Sequence, residues 1–331
     1  MGPPRDPLRS VSALFYHAGA LGDFLCCILP VIAAWRSARP RERVILLGKP
    51  AFGELARLSG YIDDVWDVAA AANAWLFSLG SSIPQNARTA YCTIDTAILF
   101  TAEDSPVMAQ IHAAGVRNVL GQPPFPDRRM PMLLHHLSLA RFGDNLSPLI
   151  QPHHAFEQDA LALLCGVGDY IAIHPGSGSG IKNWPFENFS SLSEACKRKG
   201  YQIVWIYGEA ERDFPPPHDA LVVRDAPLPI LVHVLKRSKA YVGNDSGISH
   251  LAAAVGCRCT ILFGPSDEVI WGPCVPNVTI IKAGRSCSPC HPFREVDGNQ
   301  RHPGQQCPNP CMGDIPVSKV VETMLRGIGD G

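Results

Sequence analysis

The turn Asn244-Asp245-Ser246-Gly247, with His250 three residues on, is the densest grouping of reactive side chains in this sequence. Residues 240–264 read as a short apolar strand, this turn, a helix carrying His250 in its first turn, and a second strand running into Gly264-Pro265. A βαβ unit places such a turn at the C-terminal edge of its sheet, where ligands seat. Free N–H groups at the helix start can hold an anion such as a diphosphate. The carboxylate, hydroxyl and imidazole suit sugar hydroxyls and phosphate oxygens. A capped helix with a satisfied histidine accounts for Ser246 alone. It accounts less well for Asp, Ser, Gly and His occurring together.

Four other stretches could carry chemistry. In Gly19-Ala20-Leu21-Gly22-Asp23 the glycines allow a tight turn and close backbone approach. The third glycine of a dinucleotide fingerprint is missing. Asp23 either caps the following helix, a position Asp favours, or faces a cleft. Residues 175–185 form a small-residue loop with Ser177, Gly178 and Ser179, then Lys182. A Gly/Ser loop plus Lys can cradle phosphate, and no Gly-Lys-Ser/Thr follows to make it a Walker A. A surface loop with a solvated lysine fits the same letters. Residues 207–213 hold Glu209 and Glu211 just past a strand. A carboxylate there could grip vicinal ribose hydroxyls, or simply offset the helix dipole. Finally, Cys287, Cys290, Cys307 and Cys311 follow C-x2-C-x16-C-x3-C, close to zinc-ribbon spacing. The intervening residues have little apolar content to order them, which a structural zinc would supply. Reduced thiols and disulfides remain alternatives. A closed four-cysteine site leaves no open position for catalysis.

Strands and helices must alternate to position these stretches. Strands are expected at 11–16, 44–47, 65–68, 90–95 and 118–120, with helices at 24–36, 52–59, 105–114 and 132–141. The pattern restarts with strands at 170–174, 202–207, 221–223, 240–242 and 260–263. Helices at 189–199, 228–238 and 317–326 accompany them. This alternation predicts parallel α/β sheets covered on both faces. The Pro- and His-rich segment 121–155 reads as a connection, so the expected domains are 1–154 and 155–331. The second includes the cysteine segment 287–311 and a final helix.

The length of 331 residues also favours two domains. With 46% hydrophobic and 18% charged residues and a net charge of −1, the chain has no basic stripe for nucleic acid. The apolar run at 24–35 is too short to span a bilayer, and no basic segment precedes it as in a signal peptide. The expected compartment is the cytoplasm, with peripheral contact at the inner membrane left open.

Taken together, five segments resemble glycosyltransferase family 9, the lipopolysaccharide heptosyltransferases and their relatives. They are Gly19-x-x-Gly22-Asp23; His174-Pro175-Gly176-Ser177 with Lys182-Asn183-Trp184-Pro185; Tyr207-Gly208-x-x-Glu211-Arg212; Asn244-Asp245-Ser246-Gly247-x-x-His250; and Leu262-Phe263-Gly264-Pro265-Ser266-Asp267 with Trp271-Gly272-Pro273. They occur in the family's order and cover about residues 11–325. The resemblance implies a GT-B fold, two Rossmann-like domains facing across a cleft. It implies an inverting, metal-independent transferase with no catalytic cofactor. The donor, ADP-heptose by family default, would bind the C-terminal domain, and a lipopolysaccharide-type or other glycan acceptor the N-terminal one. By position, Asp23 matches the family's general base and Lys182 its phosphate-binding lysine. Ser177, Gly178, Ser179, Ser246 and Gly247 would surround the diphosphate. Asp245 would hold sugar hydroxyls with His250 close by, and Glu211 the ribose, with Glu209 as a substitute. The long segment 291–306 and the Gly/Ser-rich loop depart from the family and leave the donor open. A sugar-nucleotide epimerase of the same fold and a non-catalytic nucleotide-sugar binder are the alternatives.

Overall fold

The computed structural model describes residues 12–140, 150–212, 214–215, 217, 220–290 and 311–329. The chain divides into two compact units. The first comprises Met1–Ala20, Cys27–Pro126 and Leu133–Leu146; the second comprises Leu21–Cys26, Asp127–Met132 and Ser147–Gly331.

In chain order, β1 (Ser12–His17) leads into one α-helical turn, α1 (Leu21–Asp23), a π-helical stretch over Phe24–Ile28, and α2 (Leu29–Ala38). Then come β2 (Arg43–Gly48), α3 (Pro50–Leu58), β3 (Asp64–Asp67), α4 (Gln85–Tyr91) and β4 (Thr96–Phe100). The series ends with α5 (Pro106–Ala113), β5 (Asn118–Gln122) and α6 (Met132–Ala140). The five strands form a parallel sheet in the order β3-β2-β1-β4-β5. Helices cover both faces, so strand residues are apolar in runs rather than alternation. Val44, Ile45, Leu46 and Leu47 are all fully buried. Each such side chain contributes about 1.5–3 kcal/mol by leaving water.

The second unit holds α7 (Glu157–Leu164), β6 (Tyr170–His174), α8 (Phe186–Lys197), β7 (Gln202–Tyr207) and β8 (Leu221–Arg224). It continues with α9 (Leu228–Arg237), β9 (Ala240–Asn244), α10 (Gly247–Ala254), β10 (Cys259–Phe263), α11 (Glu268–Trp271), β11 (Val278–Lys282) and α12 (Val317–Gly329). Its parallel sheet runs β11-β10-β9-β6-β7-β8. Counted from β6 as first strand, this is the doubly wound order 3-2-1-4-5-6 read in reverse, with the order switching between β6 and β9. Trp184, Phe189, Trp205 and Tyr207 are the largest side chains of a core that also takes in Val320 and Met324 of α12.

The structure departs from the sequence reading in four places. Residues 90–95 were expected as a strand but close α4 and turn, and the strand is Thr96–Phe100. Tyr91 is buried from a helix face, so its apolar character mimics a strand position. α7 and β11 were not anticipated. Helical residues run on from Leu21 to Ala38, longer than the expected segment; that stretch is long and apolar enough to cross a membrane by length and composition, and half of it is buried in the protein. The boundary also differs from 154/155: the second unit takes up residues 21–26 and 127–132 and resumes at Ser147.

Candidate active site

The switch between β6 and β9 brings His174 beside Gly243 in register, so the loops after both strands emerge together. Asn244, fully buried at the end of β9, joins them: its Oδ1 accepts from the Trp184 backbone N–H at 2.9 Å and its Nδ2 donates to the Pro175 carbonyl at 2.7 Å. The 175–185 loop is thereby fixed at both ends to the strand that leads into Asp245. Within the loop, the Ser177 hydroxyl lies 2.7 Å from Asn183 Oδ1 and accepts from the Ser179 N–H at 3.2 Å. Gly178 is exposed, and open space surrounds both it and Gly180.

Asp245 is the hub. It is 6% exposed. Lys182 Nζ donates to its Oδ2 at 2.9 Å and the Ser266 hydroxyl to the same oxygen at 2.7 Å, while His250 Nε2 lies 3.7 Å from Oδ1. Burial opposes ionisation of this carboxyl, but the nearby His250 imidazole, the Lys182 charge and the Ser266 hydroxyl hold its pKa far below the usual carboxylate range. For His250 burial likewise disfavours charge, yet Cys26, Asp245 and Asp23 outweigh it and raise the imidazole pKa. His250 Nδ1 is buried and has no partner among the described residues.

Asp23 reaches this site because the α1 turn packs on α10 inside the second unit. Two glycines permit the approach. A Cβ on Gly22 would meet His250 Cδ2 at 3.1 Å, and one on Gly247 would meet the Leu21 Cβ at 2.9 Å. Ser246 caps α10 by accepting from the Ser249 N–H at 3.3 Å. The helix therefore starts with its first N–H groups beside the Asp245 cluster.

Glu211 differs from Glu209. Its carboxylate is 1% exposed, with Oε2 accepting from the Gly208 N–H at 2.7 Å. Burial is again the largest influence and would raise its pKa, but His174 and the Gly208 N–H together lower it. The Glu209 side chain, at 87% exposure, faces solvent.

Of the residues expected from sequence, Asp23, Lys182, Asp245, Ser246, Gly247 and His250 converge, with Ser177, Gly178 and Ser179 on the adjoining loop. Asn244, Ser266, His174 and Arg129 also take part, with no role that the sequence analysis assigns them. Arg129 grips the buried Asp267 with both forks, Nε to Oδ2 at 2.6 Å and Nη2 to Oδ1 at 2.9 Å. This ion pair explains why residues 127–132 pack with the second unit. The signal for Ser266 and Asp267 was their place just past the end of β10. For Arg129, 138 residues distant from Asp267, there was no local signal.

Of the four expected metal ligands, Cys307 lies outside the described residues. The flanks of that segment both dock on the turn after β10. The Cys290 N–H donates to the Pro265 carbonyl at 2.9 Å, and a Cβ on Gly264 would meet Cys311 Sγ at 3.0 Å. Among the described residues, no group of three His, Cys, Asp or Glu side chains is placed to hold a metal ion.

Residues 144–299 match the model of glycosyltransferase family 9 (heptosyltransferase). Among curated proteins, lipopolysaccharide heptosyltransferase 3 of Escherichia coli K12 is 31% identical over 140 residues, 39% of this chain and 39% of that protein. The chain thus aligns with about two fifths of the length of the curated relatives it matches. Among solved structures, a family 9 glycosyltransferase from Veillonella parvula superposes with a TM-score of 0.75 at 16% identity, covering 99% of this chain and 100% of that one. E. coli ADP-heptose LPS heptosyltransferase II gives 0.72 at 16% identity, over 97% and 99%. At such identities the superpositions establish the fold alone: two parallel-sheet α/β units, as in the GT-B fold.

Proposed function

We propose, from the premise that this chain is a glycosyltransferase family 9 (heptosyltransferase)-like protein, that it transfers a sugar from a nucleotide-diphosphate donor to a hydroxyl of a lipopolysaccharide-type glycan. The observation that carries this reading is the gathering of Lys182, Asp245, Ser266 and His250 at the start of α10. It lies at the switch point of a doubly wound sheet, inside the segment that matches the family model.

In this reading the donor diphosphate sits against the first N–H groups of α10, the 177–179 loop and Lys182. The acceptor oxygen attacks the anomeric carbon from the face opposite the diphosphate, forming the new C–O bond as the anomeric C–O bond to phosphate breaks. Asp23 takes the proton lost by the acceptor hydroxyl. Negative charge developing on the leaving diphosphate is offset by Lys182 and the helix N–H groups. Configuration inverts, and the chain's own cations take the charge-neutralising role without a catalytic metal. Asp245 orients Lys182 and would meet sugar hydroxyls when the donor is bound. The donor proposed first is ADP-heptose, the nucleotide sugar named for the E. coli enzyme of similar fold.

Thermal melting of the protein with ADP, UDP and GDP compounds tests the donor, since a ligand that binds the native state raises the melting point by mass action. Stabilisation by ADP compounds alone supports the heptosyl reading. No shift with any of the three defeats donor binding. We also propose, from the cysteine spacing alone, that Cys287, Cys290, Cys307 and Cys311 would gather around a zinc ion when metal binds, the three described cysteines not being grouped for it in this structure. The protein is proposed to act in the cytoplasm, peripheral to the inner membrane.

A further inference from the structure

Between β3 and α4 the first unit carries an apolar loop that the candidate site does not use. From Val68 to Ile94 the one charged residue is Arg88, in a chain with 18% charged residues overall, and no carboxylate occurs there. After β3 the loop winds into a 3-10 helix over Ala71–Phe77. Its side chains divide into two layers. Trp75 and Leu76 are buried, with the Trp75 ring edge-on to Tyr91 at 5.3 Å. Phe77 and Leu79 are exposed, at 48% and 65%, as are Ala71, Ala72 and Ala74. The loop is tied down from beneath. Buried Gln110 of α5 donates from Nε2 to the Ser78 carbonyl at 2.6 Å, and the same nitrogen lies 3.0 Å from the Trp75 carbonyl and 2.9 Å from the Ser81 hydroxyl. Asn73 Nδ2 donates to the Asp67 carbonyl at 2.7 Å. Gly80, at a φ of 76°, turns the chain just past Leu79.

We propose that Phe77 and Leu79 form a docking tip that dips into the surface of a lipid bilayer bearing anionic headgroups. The inference deepens the reading of a lipopolysaccharide-type acceptor and rests on it for its purpose, since such an acceptor is carried by a lipid. Area, charge and position select a bilayer over a protein partner. The two side chains expose on the order of 200 Å² of apolar surface, whereas a stable protein interface takes about 800 Å² from each partner. A bilayer has no such threshold, because binding scales with whatever apolar area is inserted. With no carboxylate from 68 to 94, nothing in the loop repels an anionic leaflet, and Arg88 on α4 adds a weak attraction. β1, β2 and β3 are parallel, so the loop leaves β3 at the same sheet edge at which the chain leaves β1 toward Asp23. That carboxyl edge is where ligands of such sheets bind, so a lipid surface there lies on the side to which an acceptor must be brought. Because Gln110 already fixes the tip, little freedom is left to lose on insertion.

The test sediments the full chain with phosphatidylcholine vesicles, with and without phosphatidylglycerol, in the absence of nucleotide. The wild type should partition onto both, and more strongly when phosphatidylglycerol is present. Phe77→Ser/Leu79→Ser should lower partitioning about tenfold, and each single change about threefold, because binding follows the apolar area inserted. Phe77→Trp should bind at least as well as the wild type, since Trp favours the membrane interface. Leu163→Ser, at an exposed leucine of α7, should leave partitioning unchanged. Melting curves check that each variant folds, and Leu79→Ser, at the more exposed position, carries the test if the double variant does not. Wild-type partitioning by the double variant overturns the proposal, as does an equal loss in Leu163→Ser or a Phe77→Trp variant that binds no vesicle. A double variant that changes the oligomeric state while its lipid binding stays intact assigns the tip to a second copy instead, and also overturns it. Thermal shifts with ADP, UDP and GDP separate the two readings. Vesicle binding with no nucleotide response defeats the donor reading alone, and a nucleotide response in a wild type that binds neither vesicle defeats the docking tip alone.

Discussion

Asp245 accepts from Lys182 and Ser266 through one oxygen and faces His250 with the other, so its charge is spent inside the protein until a ligand arrives. A diphosphate would take over Lys182 at little reorganisation cost, because the ammonium is already in place. Lys182→Met should therefore lower turnover about 10²–10³-fold, the usual effect of removing one group that stabilises a developing anion. Melting temperature should move little, and steady-state kinetics beside a melting curve check both. Asp23→Asn is expected to cost about 10²–10⁴-fold in transfer, the scale of a lost general base, while nucleotide binding survives. Full transfer by that variant removes Asp23 from the mechanism. His250 gives a pH signature of definite sign. Its folded pKa is raised above the ordinary imidazole value of 6.5, so its charge stabilises the fold fully below about pH 6.5. That stabilisation declines as pH rises through the higher folded value. Asp245 works the other way, being depressed, and its contribution is lost only in strong acid. The stability gap between wild type and His250→Gln, followed by urea unfolding from pH 5 to 9, should narrow as pH rises.

At the scale of elements, α10 depends on its cap and on two glycines. Ser246→Ala removes the acceptor for the Ser249 N–H and should cost about 1 kcal/mol of stability, read by chemical denaturation. Gly247→Ala is a different experiment. Its Cβ would press on the Leu21 Cβ at 2.9 Å, a backbone-anchored atom with little room to move. The α1 turn, and Asp23 with it, should be displaced. Transfer should fall further than donor binding, and a variant that loses donor binding alone would disprove this packing. The existence of β6, β7, β9 and β10 was legible because continuous apolar runs bounded by Gly, Pro and polar turns have few other readings. α7 and β11 were not, as half-buried elements without a clear period give weak signals. The displaced strand at Thr96–Phe100 shows the same limit: a buried helical Tyr91 and a strand residue look alike in sequence.

For the whole molecule, the sheet order decides where a ligand can sit. In both units the strands are parallel and doubly wound, an order that opens a crevice at the carboxyl ends of the strands flanking the switch. The cysteine segment gives the prediction proper to this scale. If four thiolates close on one ion, elemental analysis of the purified protein should find about one zinc or iron per chain. A chelator should then lower the melting point. Metal below one ion in four chains with an unchanged melt would speak against the site.

The sequence by itself determined the alternation of strands and helices, and which side chains of 175–185 and 244–250 belong to strand ends. Those facts depend on local pattern, where apolar period and turn chemistry act over a few residues. Only the tertiary structure decided that Glu211 turns inward beneath Gly176, that Arg129 clamps Asp267, and that the Asp23 turn packs on α10. Each is a contact between residues far apart in the chain. Burial, not local propensity, chooses the partner there, because an ionised group that leaves water must find its counter-charge or hydrogen-bond donor wherever the fold places one.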